Sequence, residues 1–281
     1  MDPLFVPAVD PPAESPGPSR WFAFRGAELL VQAADAAGTI DVPLLDDPAD
    51  LGFTMSRRQY LGTIDGTPVW SAELEEGTEA DHGWSFLGLR ELHGQLPESL
   101  YSLAGRAAQI VAWDRDHRFC GRCGTATETL PGERARVCPS CGLTSYPRLS
   151  PAVIVLIERG NQVLLARNHR FPSGRFGLIA GFVEPGETLE EAVAREVREE
   201  AAMELADVRY FGSQPWPFPH AIMIGFTARH RGGEPHPDGE ELAEAAFFSL
   251  DALPLVPPRL SIARRLLDTW AAHLGGAIDQ P

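Results

Sequence analysis

The stretch GFVEPGETLEEAVAREVREEAAM, from Gly181 to Met203, carries a helix start, a helix and a concentration of negative charge. Gly186 reads as a turn residue. Thr188 and Glu191 form a T-x-x-E capping box, in which each satisfies a backbone N–H at the helix start. Leu189, Ala192, Val193 and Val197 make an apolar stripe. Glu196 and Glu200 are four residues apart on another face, and Glu199 lies one turn from Glu196. Like charges at this spacing repel by roughly 0.2–0.5 kcal/mol each. An exposed helix tolerates that, so the charges alone fit an ordinary solvated face.

The flanking sequence is more specific. Upstream, PAVIVLI (Pro151–Ile157) has the length of a buried strand, and Ala152–Ile157, a Gly160–Asn161 turn and Val163–Ala166 predict a hairpin. Downstream lies SQPWPFPHA (Ser213–Ala221), in which three prolines alternate with Trp216 and Phe218. Proline gives no N–H to a sheet ladder, so this is not a core strand but a rigid aromatic rim. A polyproline ligand for an SH3 or WW domain, or a loop packed for stability, are the alternatives that composition leaves open.

All four cysteines fall in one window as Cys120-x2-Cys123, fourteen residues, Cys138-x2-Cys141, with a glycine after each pair. Four thiolates in two knuckles suit tetrahedral Zn²⁺ with no open position, hence one structural zinc per chain. Two disulfides or a redox pair are the alternatives; the use of every cysteine in two matched pairs favours zinc. The window divides the chain. Residues 1–20 are Pro-rich and predict a flexible arm. Residues 21–116 predict an α+β packing or dimerisation domain, with strands near WFAFRG, TPVWSAEL and HGWSFLGLREL and a helix over ESLYSLAGRAAQIVAWDRDH. Residues 117–147 form the ribbon, and 148–275 the last domain.

The 281 residues are 44% hydrophobic, enough for a sizeable core, and carry a formal charge of −15. That charge disfavours DNA and non-specific nucleic-acid binding. It also means that an anionic substrate needs a cation between it and the protein, for which a divalent metal is the obvious candidate. No run approaches the ~18 apolar residues of a membrane span. The start lacks the basic segment and apolar run of a signal peptide, and with the cysteines this points to a reducing cytoplasm.

The helix spacing is Gly181, five residues, Glu187, seven residues, Arg195-Glu196-Val197, one residue, Glu199-Glu200, one residue, Ala202-Met203. It resembles the Nudix box, G-x5-E-x7-R-E-U-x-E-E-x-G-U with U apolar, except that Ala202 stands in place of glycine. If Ala202 needs a left-handed conformation the cost is about 1 kcal/mol. SQPWPFP resembles the specificity motif of the NADH pyrophosphatase (NudC-like) branch, which also carries a four-cysteine ribbon and a divergent N-terminal domain; Ala221 departs from a serine there.

The resemblance implies a Nudix α/β/α sandwich with a mixed sheet, preceded by the ribbon and an α+β domain. It implies Mg²⁺ or Mn²⁺ held by Glu196, Glu200 and the carbonyl of Ala180, with Glu199 as ligand or catalytic base. Glu241 completes the metal site, with its neighbour Glu240 as the alternative register. Glu187 and Arg195 orient the carboxylates. Substrate contacts fall on Glu133, Tyr146, Phe182, Gln214, Pro215, Trp216, Pro217, Phe218, Pro219, His220, Ala221 and Ala263, and, in the weakly aligned N-terminal domain, Arg90. His220 has surface packing as its plain reading, and Arg264–Arg265 reads as helix surface. The implied reaction is hydrolysis of NAD(H) to AMP and nicotinamide mononucleotide by a homodimer. Removal of NAD caps from RNA and a non-catalytic NAD- or ADP-ribose-sensing module are the alternatives.

Overall fold

The computed structural model describes residues 4–13, 17–32, 40–47, 49, 52–80, 83–172 and 174–280. The chain divides into two units, Met1–Arg148 and Leu149–Pro281.

The first unit opens with strands β1 (Phe5–Pro7), β2 (Ser19–Arg25), β3 (Glu28–Gln32), β4 (Leu44–Leu45), β5 (Met55–Ile64), β6 (Thr67–Leu74) and β7 (Trp84–Gly88). Helices α1 (Leu89–Leu92) and α2 (Glu98–Asp116) follow. The strands form one sheet in the order β1-β5-β6-β2-β3-β7, with β4 on β2. The Pro-rich start corrects the expectation of a flexible arm. Phe5 pairs with Ile64, and Gly62 lies so close that a Cβ there would meet the backbone of Pro7 at 2.9 Å. Arg134 adds N–H donation to the carbonyls of Ala8 and Tyr60 at 2.8 and 2.7 Å. Residues 1–3 and 14–16 of the arm lie outside the described residues. In α2, Leu100, Leu103, Ala107, Ile110, Val111 and Trp113 recur at near-helical spacing and are buried. The ribbon closes the unit with three short strands, β8 (Glu128–Thr129), β9 (Arg136–Val137) and β10 (Thr144–Ser145).

The second unit contains β11 (Ser150–Arg159), β12 (Gln162–Asn168), β13 (Ile179–Phe182), α3 (Leu189–Ala201), β14 (Glu204–Trp216), β15 (Ala221–Gly232), β16 (Leu242–Ser249) and α4 (Ile262–His273). Its sheet runs β14-β15-β11-β12-β16, with β13 beside β11. β11 and β15 are parallel while the other pairings are antiparallel, so the sheet is mixed. β11 is apolar from Pro151 to Ile157, and buried from Ala152 to Ile157, because both faces of that stretch are covered. Val153, Val155 and Ile157 pack with Ala192, Val193, Val197 and Ala201 of α3. The alternate residues Ile154 and Leu156 pack with Ile262, Leu266, Leu267 and Trp270 of α4. The result is a helix–sheet–helix sandwich.

Two further expectations change. SQPWPFP is not a free rim: Ser213–Trp216 is the last part of edge strand β14, and the turn after it leads into β15. An edge strand tolerates proline because one side of its ladder is unpaired. Arg264 is not surface but fully buried, whereas Arg265 is exposed. Its guanidinium donates to Asp268 at 2.8 Å and to the carbonyls of Ile278 and Gln280 at 2.9 and 2.7 Å, which fastens the C-terminal tail to α4.

Candidate active site and zinc centre

The acidic helix begins as its sequence dictates. The Glu191 amide donates to Thr188 Oγ1 at 3.2 Å, and the Thr188 amide donates back to Glu191 Oε2 at 2.8 Å. It ends at Ala202, which adopts φ 53°, ψ 36°, the left-handed conformation usually given to glycine. Between these ends the helix turns its acidic face toward β13.

Arg195 organises that face. Its Nε and Nη2 donate to the two carboxylate oxygens of Glu187 at 2.6 and 3.0 Å, a paired arrangement that fixes both planes. Nη1 donates to Glu196 at 2.8 Å and to Glu199 at 3.1 Å, and Nη2 also reaches the Phe182 carbonyl at 2.9 Å. Hydrogen bonding to Arg195 holds Glu187 below the usual carboxylate range. The same bond to Glu187 keeps Arg195 firmly protonated.

The other carboxylates feel the opposite pressure. Burial pushes Glu196 up, although Arg195 pulls it down. Glu200 is 7% exposed, and burial, followed by the charges of Glu196, Glu241, Asp238 and Glu199, raises it to about 8. Every one of these influences penalises the negative charge on Glu200. Carboxylate oxygens such as those of Glu196 and Glu200 are the donor type that a hard divalent cation takes. The charge of Glu241 is among those that raise both Glu196 and Glu200. Glu199 differs from its neighbours in being 60% exposed at its side chain, open to water. Ala180 lies on β13 opposite Ile154, one residue before Gly181.

The β14–β15 hairpin belongs to the same unit. Trp216 and Phe218 meet edge-to-face at 5.1 Å. The Phe218–Pro219 peptide, in the turn, is cis. Gln214 is turned inward: its Nε2 donates to the Leu260 carbonyl at 2.7 Å, and its Oε1 accepts from the Ile262 amide at 2.6 Å. Pro215 pairs in register with Ile222, and Pro217 sits in the turn. His220 Nδ1 lies 3.1 Å from Ser150 Oγ, and its carbonyl accepts from the Ser150 amide. Ala221 and Ala263 are both buried at 6% exposure, whereas Phe182 is 60% exposed. In the first unit, the Tyr146 hydroxyl donates to Glu133 at 2.8 Å, and Arg90 is exposed on α1. Sequence reasoning missed the inward amide of Gln214, the Ser150 contact and the part played by Asp238; only the Asp-Gly step at Asp238–Gly239 signalled any of these, as a turn.

The cysteines meet in the ribbon. The amides of Gly124 and Gly142 donate to the carbonyls of Cys120 and Cys138 in two matching turns, each glycine at positive φ (75° and 72°). The four sulfurs lie within 4.8 Å of one another, with three separations of 3.5, 3.5 and 3.7 Å. A tetrahedron with Zn–S bonds of about 2.3 Å has S···S edges of roughly 3.8 Å, so the sulfurs fit zinc and lie too far apart for disulfides. The Arg122 amide near Cys120 lowers that thiol, and the Thr125 hydroxyl helps to hold Cys123 down at about 6. Cys141 goes the other way: against the Leu143 amide, burial and its three sulfur neighbours push it up to about 11, the effect of four sulfurs crowded together. With four protein ligands the site is structural.

Comparison with known proteins covers the whole architecture. Residues 148–270 match the Nudix domain, 18–113 the NADH pyrophosphatase-like rudimentary Nudix domain, and 115–146 the NADH pyrophosphatase zinc ribbon domain. A Pseudomonas fluorescens protein named NAD-capped RNA hydrolase NudC is 48% identical over 76% of this chain and 77% of its own. Proteins of the same name from Stutzerimonas stutzeri and Pseudomonas aeruginosa are 47% and 48% identical over 79% and 78% of this chain, and 80% and 78% of their own. Among the described residues, no helix is long and apolar enough to cross a membrane. With its box carboxylates ordered by Arg195, its four-sulfur ribbon and its rudimentary first domain, the chain belongs to the Nudix hydrolases, in their NudC-like branch.

Proposed function

We propose that this protein is a metal-dependent NAD(H) diphosphatase, hydrolysing NADH or NAD⁺ to AMP and nicotinamide mononucleotide. The observation that carries the reading is the acidic face of α3 that Arg195 orders, with Glu196 lying against Gly181 of β13 and Glu200 buried beside it on the helix. Such a site binds a cation, and a diphosphate is the anion that a divalent cation bridges best.

Glu196, Glu200, Glu241 and the Ala180 carbonyl would hold Mg²⁺ or Mn²⁺ in this reading. Such an ion, when bound, neutralises the diphosphate and lowers the pKa of water. Glu199, exposed and oriented by Arg195, takes the proton from the water that attacks one phosphorus in line. Glu187 keeps Arg195 aimed. The nucleotide on the other phosphorus leaves. Trp216 and Phe218, with Phe182, offer flat apolar faces for the dinucleotide, and the prolines of the hairpin lower the cost of ordering it. Glu133, Tyr146 and Arg90 are further contacts in this reading, and the enzyme works as a homodimer in the cytoplasm.

A second substrate is favoured by the names of the relatives: the same site removes an NAD cap from RNA, the RNA chain trailing outward. The charge of −15 argues against tight grip of a long RNA, but a capped end needs little. Measuring kcat/KM for NADH and for NAD-capped RNA ranks the two. Equal or higher values on RNA make cap removal the main activity. A purely sensing module is disfavoured because Glu196, Glu199 and Glu200 are all present, and full activity in Glu199→Gln overturns the base assignment.

A further inference from the structure

Glu241 lies in the loop just before β16, not in a helix or strand, so something must fix that loop. The structure gives the task to one side chain. Asp238 Oδ1 accepts the amide N–H of Glu240 at 3.2 Å, of Glu241 at 3.1 Å and of Leu242 at 2.9 Å. Its Oδ2 accepts from Glu241 as well, at 3.3 Å. The Asp238 amide itself donates to the carbonyl of Glu200 at 3.2 Å. Gly239, at φ +80°, closes the turn by donating to the Leu242 carbonyl at 3.2 Å. The Glu241 carbonyl accepts from His169 at 3.1 Å.

One carboxylate therefore gathers the N–H groups of three successive residues, while its backbone is tied to Glu200. We infer that Asp238 is a positioning residue of the metal site, setting Glu241 against Glu196 and Glu200 without ligating the ion. The inference rests on the proposed assignment of Glu196, Glu200 and Glu241 as ligands. What Asp238 supplies is an oxygen that accepts N–H bonds at the right place, and a neutral amide oxygen supplies the same. A ligand, by contrast, would depend on the charge.

That difference is the test. Mn²⁺ alone, with no nucleotide, is titrated into the full-length protein and free Mn²⁺ is followed by electron paramagnetic resonance. Asp238→Asn is expected to keep the Mn²⁺ Kd within about threefold of the unaltered protein, and Asp238→Ala to raise it about tenfold or more, the usual scale for supporting residues around metal ligands. If Asp238→Ala does not fold, Asp238→Ser, with one shorter acceptor, is expected to fall between the other two. Equal losses in Asn and Ala would make Asp238 a ligand and overturn the inference. Unchanged affinity in Ala (or in Ser) would overturn it as a bystander. If the unaltered protein itself binds no Mn²⁺, the assignment of the metal ligands fails first, and the inference falls with it.

Discussion

The carboxylate of Glu196 occupies the space where Gly181 would carry a side chain: a Cβ built there would overlap the carboxyl carbon and both its oxygens. The first glycine of the box is therefore fixed by contact with a proposed metal ligand, not by a turn. Gly181→Ala must drive the carboxylate aside. A displacement of about 1 Å at a reacting centre costs roughly a hundredfold in rate. We expect a loss of that order in kcat/KM with the urea midpoint little changed, because the displaced group lies at the edge of the core. Assay of the variant beside equilibrium unfolding checks both parts.

Ala202 ends α3 in the left-handed conformation, where a Cβ costs about 1 kcal/mol relative to glycine. Ala202→Gly should raise the stability of the unit by about that amount and leave kcat within twofold. Urea denaturation of the two proteins measures it; a loss of stability would mean that the loop is held by something other than backbone preference.

Asp114, 2% exposed near the end of α2, has a carboxylate raised above its ordinary 3.8 by burial, against the pull of Arg136, Arg57 and His117 and with the push of Glu73. The sign follows from linkage. A raised folded-state pKa means that the folded protein binds the proton more tightly, so the contribution is present below the unfolded pKa and lost as pH rises through the folded one. Asp114→Asn cannot ionise, so its stability relative to the unaltered protein should improve between pH 4 and pH 7. Denaturation at both pH values tests this, and a relative loss on raising the pH would reverse the account of Asp114.

Metal analysis should find one zinc per chain, and none in Cys138→Ser. Because a ribbon this small has little core, removing the ion should unfold it. Circular dichroism and limited proteolysis around residues 117–147, before and after chelation, report the change. An intact ribbon without zinc would contradict a structural role.

Gln214 sits in the specificity motif yet spends both ends of its amide on Leu260 and Ile262. Gln214→Ala should quicken hydrogen exchange at the Ile262 amide about tenfold or more and raise KM more than it lowers kcat, since the hairpin and the start of α4 lose their tie. A larger KM with unchanged exchange at Ile262 would instead make Gln214 a direct substrate contact.

What could be read from the sequence was local. The Thr188–Glu191 box, the stripe of α3, the left-handed Ala202 and the two cysteine knuckles are each set by residues a few positions apart, and each is present in the fold. What could not be read depends on distant partners. Phe5 finds Ile64 across some sixty residues, so a Pro-rich start looked unstructured until the sheet edge was in place. Arg264 is buried because two carbonyls of an irregular tail reach it, and no periodicity announces them. Gln214 and Asp238 look like ordinary polar loop residues, and only the fold shows which amides they hold.

The central claim is that the dinucleotide is cut at its diphosphate. NADH incubated with the protein and Mg²⁺ or Mn²⁺ in ¹⁸O-water, with the products resolved by mass spectrometry, tests it most directly. The account predicts AMP and reduced nicotinamide mononucleotide in equal amounts, with one ¹⁸O in the phosphate of one of them. Intact NADH, or release of nicotinamide with the diphosphate uncut, would contradict it.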